Sequence, residues 1–468
     1  MLMKKTRTLL IAVLACAFVL SPGCVKPQDE PEKQEQEQEK EKEKEPEPEL
    51  EPLTSKIPVT ENWIFSGRPA ITFHLTNPNS VPMAATLKIY FTTDQKASVA
   101  TVLKEEEVPA NGVKDFVVSP DEDFAPGFYN AKCTVNGKSI RSFVFGVDPF
   151  DIVSAPDMQA DFDAFWEAAR ADLPALDATS VTLTEIPAKS NAACKVYLAE
   201  ILSVPDEPGG DPVYFRGYYL EPQDGKKHPV LIHFQGYDTL NKPPKMSCPS
   251  GNDGTFAEFY VSHRGQYINH RTADKRDDGI ARDFENIYGD WFAYHFGNKD
   301  GYYYRGAFMD CVQTVRFMAT RPTSNMDNLF AEGSSQGGAL CYAAAALSDI
   351  PFNAIAPNVA FLGDYPDYFK IVSWPANVAK ANKGSMTDDQ MYAFLSYFDT
   401  KNLATRISCA VWATSGLQDG TCPPHTNLAP FNNLKSTDKH MSFYPEMQHD
   451  YPKTWFSDIN TFFKERMK

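Results

Sequence analysis

The sequence predicts an α/β protein in which a mainly parallel sheet, covered by helices on both faces, follows a small β-sandwich. Three observations predict it. Runs such as PVLIHF (229–234) are nearly continuously apolar, as strands buried on both faces are. Helical stretches alternate with such runs; in YYYRGAFMDCVQTVRFMAT (302–320), Phe308, Val312, Val315 and Ala319 share one face. Upstream, from about Ser55 to Val147, apolar residues recur at every second position instead, as in Ile71, Phe73 and Leu75.

The first element reads as a targeting segment. MLMKKTRTLLIAVLACAFVLSPGC has a basic start and an apolar run from Leu9 to Leu20, the plan of a signal peptide over 1–23. That run is shorter than the roughly 20 residues a membrane-crossing helix requires. Cys24 stands directly after it and is the expected lipidation site, with Cys16 or plain secretion as alternatives. The expectation is an exported bacterial lipoprotein, anchored by lipid to a membrane in the periplasm or at the cell surface. Residues 24–54 then carry Glu-Lys alternation and Glu-Pro repeats, which read as an acidic solvated tether. The formal charge of −16 excludes nucleic acid as a natural partner, because that requires a basic surface. Seven cysteines follow Cys24 without a C-x-x-C pair. They read as small buried residues rather than zinc ligands, with one or two disulfides left open.

The sandwich is expected over 55–148. Leu87, Ile89 and Phe91 repeat the alternation, and Asn136-Gly137 between NAKCTV and SIRSFVF is a hairpin pattern. Ala125-Pro126-Gly127-Phe128-Tyr129, leading into a strand, resembles the corner of immunoglobulin-like sandwiches. A sugar-binding role would use Trp63 as a platform; a spacer or packing module is the preferred reading, since no aromatic cluster stands out.

The α/β domain is expected over 157–468. It opens with a helix carrying Phe162, Phe165, Trp166 and Ala169 on one face. EFYVSH (258–263), NLFAEG (328–333), FNAIAPNVA, SCAVWATSG and HMSFYP read as its further strands. Between the strand NLFAEG and the small-residue helix GALCYAAAAL stands GSSQG, a G-x-S-x-G match in one register only. A serine on that sharp strand-to-helix turn exposes its hydroxyl above the sheet, which makes Ser335 the candidate nucleophile and leaves Ser334 at the variable position. Small residues around it let the helix approach the sheet.

A serine needs a base, and the base needs an orienting acid. In this arrangement acid and base follow later strands in that order. His449, just past HMSFYP, is the candidate base; His440 precedes the strand, and His425 reads as a solvent or substrate-rim residue. Asp419, just past SCAVWATSG, is the candidate acid, whereas Asp399 and Asp438 read as caps or surface charges. The oxyanion donors are expected to be the backbone N–H groups of Gln336, after the nucleophile, and Tyr237, after PVLIHF. There is no H-E-x-x-H, no clustered His/Cys ligand set and no P-loop, so neither a metal nor a cofactor is expected.

These segments together resemble the acetyl xylan esterase and cephalosporin-C deacetylase family of α/β-hydrolases. The resemblance covers roughly 157–468 and rests on DFDAFWEAA, QGY, SHRGQ, YYYRGAFMDCVQTVR, GSSQGG, LSYFDTKNLATRISC, SGLQDGTCPP and YPEMQHD, in the family's order. It implies a nucleophile at Ser335, an acid at Asp419, a base at His449 and oxyanion amides at Tyr237 and Gln336. The family usually has Gly where Ser334 and Tyr267 stand, and Glu where Asp450 stands. Its members often form hexameric rings, so a homo-oligomer is a further expectation. The function expected is a serine esterase that removes acetyl groups from oligosaccharides or polysaccharides. A peptidase of the prolyl oligopeptidase type and a non-catalytic glycan-binding lipoprotein are the alternatives.

Overall fold

The structure is a computed structural model and describes residues 50–237, 248–265 and 290–468. The expected signal peptide, Cys16, Cys24 and nearly all of the tether lie outside the described residues, as do Gln266 and Tyr267.

Eight strands come first: β1 (Thr54–Lys56), β2 (Ile64–Phe65), β3 (Ile71–Thr76), β4 (Met83–Thr93), β5 (Ser98–Val108), β6 (Val113–Val118), β7 (Gly127–Val135) and β8 (Lys138–Val147). They form a three-stranded sheet, β1-β3-β6, and a five-stranded sheet, β2-β8-β7-β4-β5. The alternation does what the pleat requires: Ile71, Phe73 and Leu75 of β3 and Leu87, Ile89 and Phe91 of β4 all point into one buried core. Asn136 and Gly137 both have positive φ (49° and 77°), the left-handed pair that a two-residue hairpin between right-twisted strands needs. Tyr129 donates its hydroxyl to the Ala125 carbonyl at 2.7 Å, closing the corner that the sequence suggested. Trp63 is not the sugar platform that stood as the less favoured reading. It is only 1% exposed, stacked on Phe143 at 4.2 Å with the Arg141 guanidinium 4.5 Å from its ring, so it packs the sandwich and offers no face to a sugar.

The second part begins with α1 (Phe162–Ala171) and three strands, β9 (Val181–Glu185), β10 (Cys194–Pro205) and β11 (Pro212–Pro222). Then follow β12 (His228–Phe234), β13 (Ala257–Ser262), α2 (Tyr303–Ala319), β14 (Ser324–Ser334), α3 (Gln336–Leu347) and β15 (Ala354–Asn358). Four short helices come next: α4 (Tyr365–Ile371), α5 (Ser373–Asn382), α6 (Asp388–Leu395) and α7 (Thr400–Ala404). The chain ends with β16 (Ala410–Gly416), α8 (Pro424–Asn432), β17 (Lys439–Tyr444) and α9 (Trp455–Lys464).

All nine strands make one sheet in the order β17-β16-β15-β14-β12-β13-β11-β10-β9. From β13 to β17 every pairing is parallel, while β9, β10 and β11 pair antiparallel. Helices α2 and α3 cover one face, and α9 covers the other through Phe463 stacked on Phe330 at 5.0 Å. Just past β13, Arg264 is fully buried and clamps Asp310 of α2 through two nitrogens at 2.6 and 3.0 Å. The segments SHRGQ and YYYRGAFMDCVQTVR thus each contribute one half of a buried ion pair that fixes strand to helix. Of the seven described cysteines Cys409 is half-buried and the others are buried.

Candidate active site

The chain leaves β14 at Ser334, turns at Ser335, and enters α3 at Gln336. Ser335 has φ 61° and ψ −121°, a conformation a non-glycine residue holds at a cost of about 1–3 kcal/mol, and the turn is closed around it. Its N–H donates to the Asn358 carbonyl at 2.9 Å, and its own carbonyl accepts from Phe361 at 3.0 Å. The glycines of the motif are steric requirements. A Cβ at Gly337 would lie 2.1 Å from the Phe234 carbonyl oxygen, and one at Gly333 would lie 2.6 Å from the Gly337 backbone. Helix α3 can therefore start this close to β12 and β14 only because Gly337 and Gly333 carry no side chain. Ser334 is buried instead, its Oγ accepting from Asn358 Nδ2 at 2.8 Å, as its variable position implied.

His449 arrives from the loop after β17 and Asp419 from the loop after β16. His449 Nε2 lies 2.9 Å from Ser335 Oγ, and His449 Nδ1 lies 2.7 Å from Asp419 Oδ2. A proton on Nδ1 shared with the carboxylate leaves Nε2 free to accept from the serine hydroxyl. The Asp419 side chain is fully buried, yet its other oxygen accepts from the N–H groups of Thr421 and Cys422 at 2.8 and 2.9 Å. The carboxylate is thus satisfied on both oxygens, and the imidazole, 28% exposed, is its only opening toward the site. The three residues singled out from the sequence converge on one hydrogen-bonded line.

Gln336 is the first residue of α3, directly after Ser335, where the helix N-terminus favours developing negative charge. Tyr237 follows Gln235 and Gly236 beyond β12; its hydroxyl donates to Asp290 at 3.0 Å and its ring packs on Trp291 at 4.7 Å. Burial and the neighbouring Asp290 hold its phenol well above the usual range, so the side chain stays neutral.

A cleft of about 430 Å³ opens over Ser335 and His449. Its floor holds two residues the sequence reading passed over, His233 and Glu332. His233 sits between Glu332 at 2.7 Å and Glu258 at 3.3 Å; burial works against its charge, but the two carboxylates carry its pKa up to about 9. A histidine in the otherwise apolar run PVLIHF was the available signal. One wall is aromatic: Tyr451 and Phe456, 42% and 66% exposed, stack on each other at 6.0 Å.

The remaining candidates fall elsewhere. His440 is exposed and pairs with Asp438 at 3.2 Å. Asp399 does cap α7, accepting from Lys401 N–H, but it is buried rather than on the surface, and burial raises its pKa to about 7. His425 is neither at the solvent nor at the rim: it is buried, 3.2 Å from Asp364, 3.4 Å from Asp367 and 3.6 Å from Asp94. Its prolines start α8 as expected, but the three acids come from distant segments and enclose it. Among the described residues, Asp364, Asp367 and His425 bring ligand atoms within 4.8 Å of one another, a set that could hold a cation. Lys401 and Lys370 already lie 3.0 and 2.7 Å from those two carboxylates.

Comparison with known proteins gives the family of this chain. The acetyl esterase Axe7A of Xylanibacter ruminicola is 27% identical over 311 residues, 66% of this chain and 67% of that protein. The solved acetyl xylan esterase 1 from Thermoanaerobacterium sp. JW/SL YS485 superposes with a TM-score of 0.56 at 23% identity, over 68% of this chain and 98% of its own. The acetyl xylan esterase from Paenibacillus sp. R4 gives 0.54 at 24% identity, over 68% and 98%. These two share the fold. Residues 153–467 match the acetyl xylan esterase (AXE1) family, and the chain belongs to that family of carboxylic ester hydrolases with an α/β-hydrolase fold.

Proposed function

We propose that the protein is a serine carbohydrate esterase that removes O-acetyl groups from acetylated xylan or related oligosaccharides, with Ser335, His449 and Asp419 as its triad. The observation that carries this reading is the hydrogen-bonded line from Ser335 Oγ through His449 to Asp419. In the reaction, Ser335 Oγ attacks the acetyl carbonyl while His449 Nε2 takes its proton. The carbonyl oxygen becomes an oxyanion, received by the backbone N–H groups of Tyr237 and Gln336. On collapse, the bond to the sugar oxygen breaks and His449 returns the proton to that leaving group. Water then attacks the acetyl-enzyme with His449 again as base, and acetate departs from Ser335. Asp419 holds the imidazole in the tautomer that accepts at Nε2 and stabilises the imidazolium between steps.

The sugar part of the reading is supported by the cleft's composition. The exposed faces of Tyr451 and Phe456 suit the C–H faces of a pyranose, and the polar floor suits its hydroxyls. The names of the relatives point to acetyl groups as well. Export and lipid anchoring through Cys24 complete the proposal, giving a membrane-tethered enzyme with access to extracellular glycans. A fluorophosphonate that traps activated serines tests the mechanism: it should label the wild type and spare Ser335→Ala. Absence of label on the wild type would favour a glycan binder instead.

A further inference from the structure

We propose that the β8 edge of the β-sandwich braces the loops that carry acid and base, and that Gln418 is the positioning residue through which it does so. The inference rests on the esterase reading above. Gln418 precedes the acid, Asp419, and its side chain reaches across to strand β8 of the sandwich. There its Oε1 accepts from Val144 N–H at 3.0 Å, and its Nε2 donates to the Val144 carbonyl at 3.0 Å. Strand β8 is paired with β7 on one side, while β2 covers only Gly146 and Val147 on the other. The Gln418 amide therefore takes the place of a neighbouring peptide group along the uncovered edge.

The same Nε2 also donates to the Pro445 carbonyl at 2.7 Å, in the loop that carries His449. The Gln418 N–H donates to the Met447 carbonyl at 3.0 Å, and Leu417 N–H to the Tyr444 carbonyl at 3.1 Å. Close approach of the two loops is built in: a Cβ at Gly416 would lie 2.5 Å from Met447 O and 2.6 Å from Gln448 O. One side chain thus joins three segments, namely the sandwich edge, the acid loop and the histidine loop, with both amide hydrogens and the amide oxygen committed. Around it, Phe128 of the sandwich packs on Phe443 at 6.2 Å, and Arg141 reaches Glu446 at 3.0 Å. That ion pair is largely exposed and worth little; the half-buried amide is the specific link. Because acid and base enter on separate loops, their 2.7 Å contact depends on loop register, and a displacement of about 1 Å is enough to cost about a hundredfold in rate.

The test uses the whole folded protein and a simple aryl acetate, so that no glycan contact enters the readout. Gln418→Ala and, as a second variant, Gln418→Glu are expected to lower kcat at least tenfold while KM stays within about twofold. Fluorophosphonate labelling at Ser335 should slow in parallel. Ile89→Val, in the sandwich core away from the triad, is the control: it should lower the melting temperature without lowering kcat. An active wild type with both Gln418 variants within twofold of its kcat would overturn the positioning role. So would an equal kcat loss in Ile89→Val, which would reduce the effect to general destabilisation. A wild type that cleaves no ester at all overturns the esterase reading itself, and the catalytic meaning of Gln418 with it.

Discussion

Asp419 Oδ2 lies 2.7 Å from His449 Nδ1, while two backbone N–H groups hold the same carboxylate's other oxygen. The carboxylate cannot rotate away, and the imidazole must present Nε2 to Ser335. Asp419→Asn keeps the shape of the side chain but offers an amide where a negative oxygen stood. The expected result is a kcat about 10³–10⁴-fold lower with KM nearly unchanged, measured on an aryl acetate. A fall of less than tenfold would remove Asp419 from the triad.

Phe456 is the most exposed large aromatic on the cleft wall and has little packing to lose. Phe456→Ala is expected to raise KM for acetylated xylo-oligosaccharides about two- to tenfold, the worth of one ring contact. Aryl acetate kinetics should not change. Equal effects on both substrates would place Phe456 in the architecture of the site rather than in sugar binding.

His425 supplies a pH dependence of stability. Burial disfavours its charge, but hydrogen bonds to Asp364 and Asp367 and the charge of Asp94 raise its folded pKa to about 9, above the ordinary 6.5. A raised folded pKa stabilises fully below pH 6.5, and that contribution is lost as pH rises through about 9. The melting temperature of the wild type should therefore exceed that of His425→Gln by the widest margin near pH 6, with the gap closing by about pH 10. Because Asp94 belongs to the sandwich and Asp364 and Asp367 to the domain that follows, the pair reports on their union. A gap independent of pH would contradict a charged His425.

What the sequence made legible was local. The elbow could be read because strand, turn and helix are contiguous and its glycines stand beside Ser335, although Gly337 makes room for Phe234 of a distant strand. Asn136-Gly137 and the Tyr129 corner were legible for the same reason. His449 and Asp419 followed from strand order, which topology constrains strongly. Burial by distant partners was not legible. Nothing near His425 announces Asp94 or Asp364, and nothing near Trp63 shows that Phe143 and Arg141 cover its ring. Strand β5 escaped notice because its charged sequence faces solvent along a sheet edge, where no apolar pattern is required. Gln418 is the clearest case: it reads as an ordinary turn residue until the Val144 strand edge lies beside it.

The central claim is that Ser335 is the nucleophile of an enzyme that deacetylates glycans. Acetate released from acetylated xylo-oligosaccharides by the wild type and by Ser335→Ala tests it most directly. Release by the wild type, lowered at least a thousandfold in Ser335→Ala, is the predicted result. Undiminished release by Ser335→Ala, or none by a wild type that folds, would contradict it.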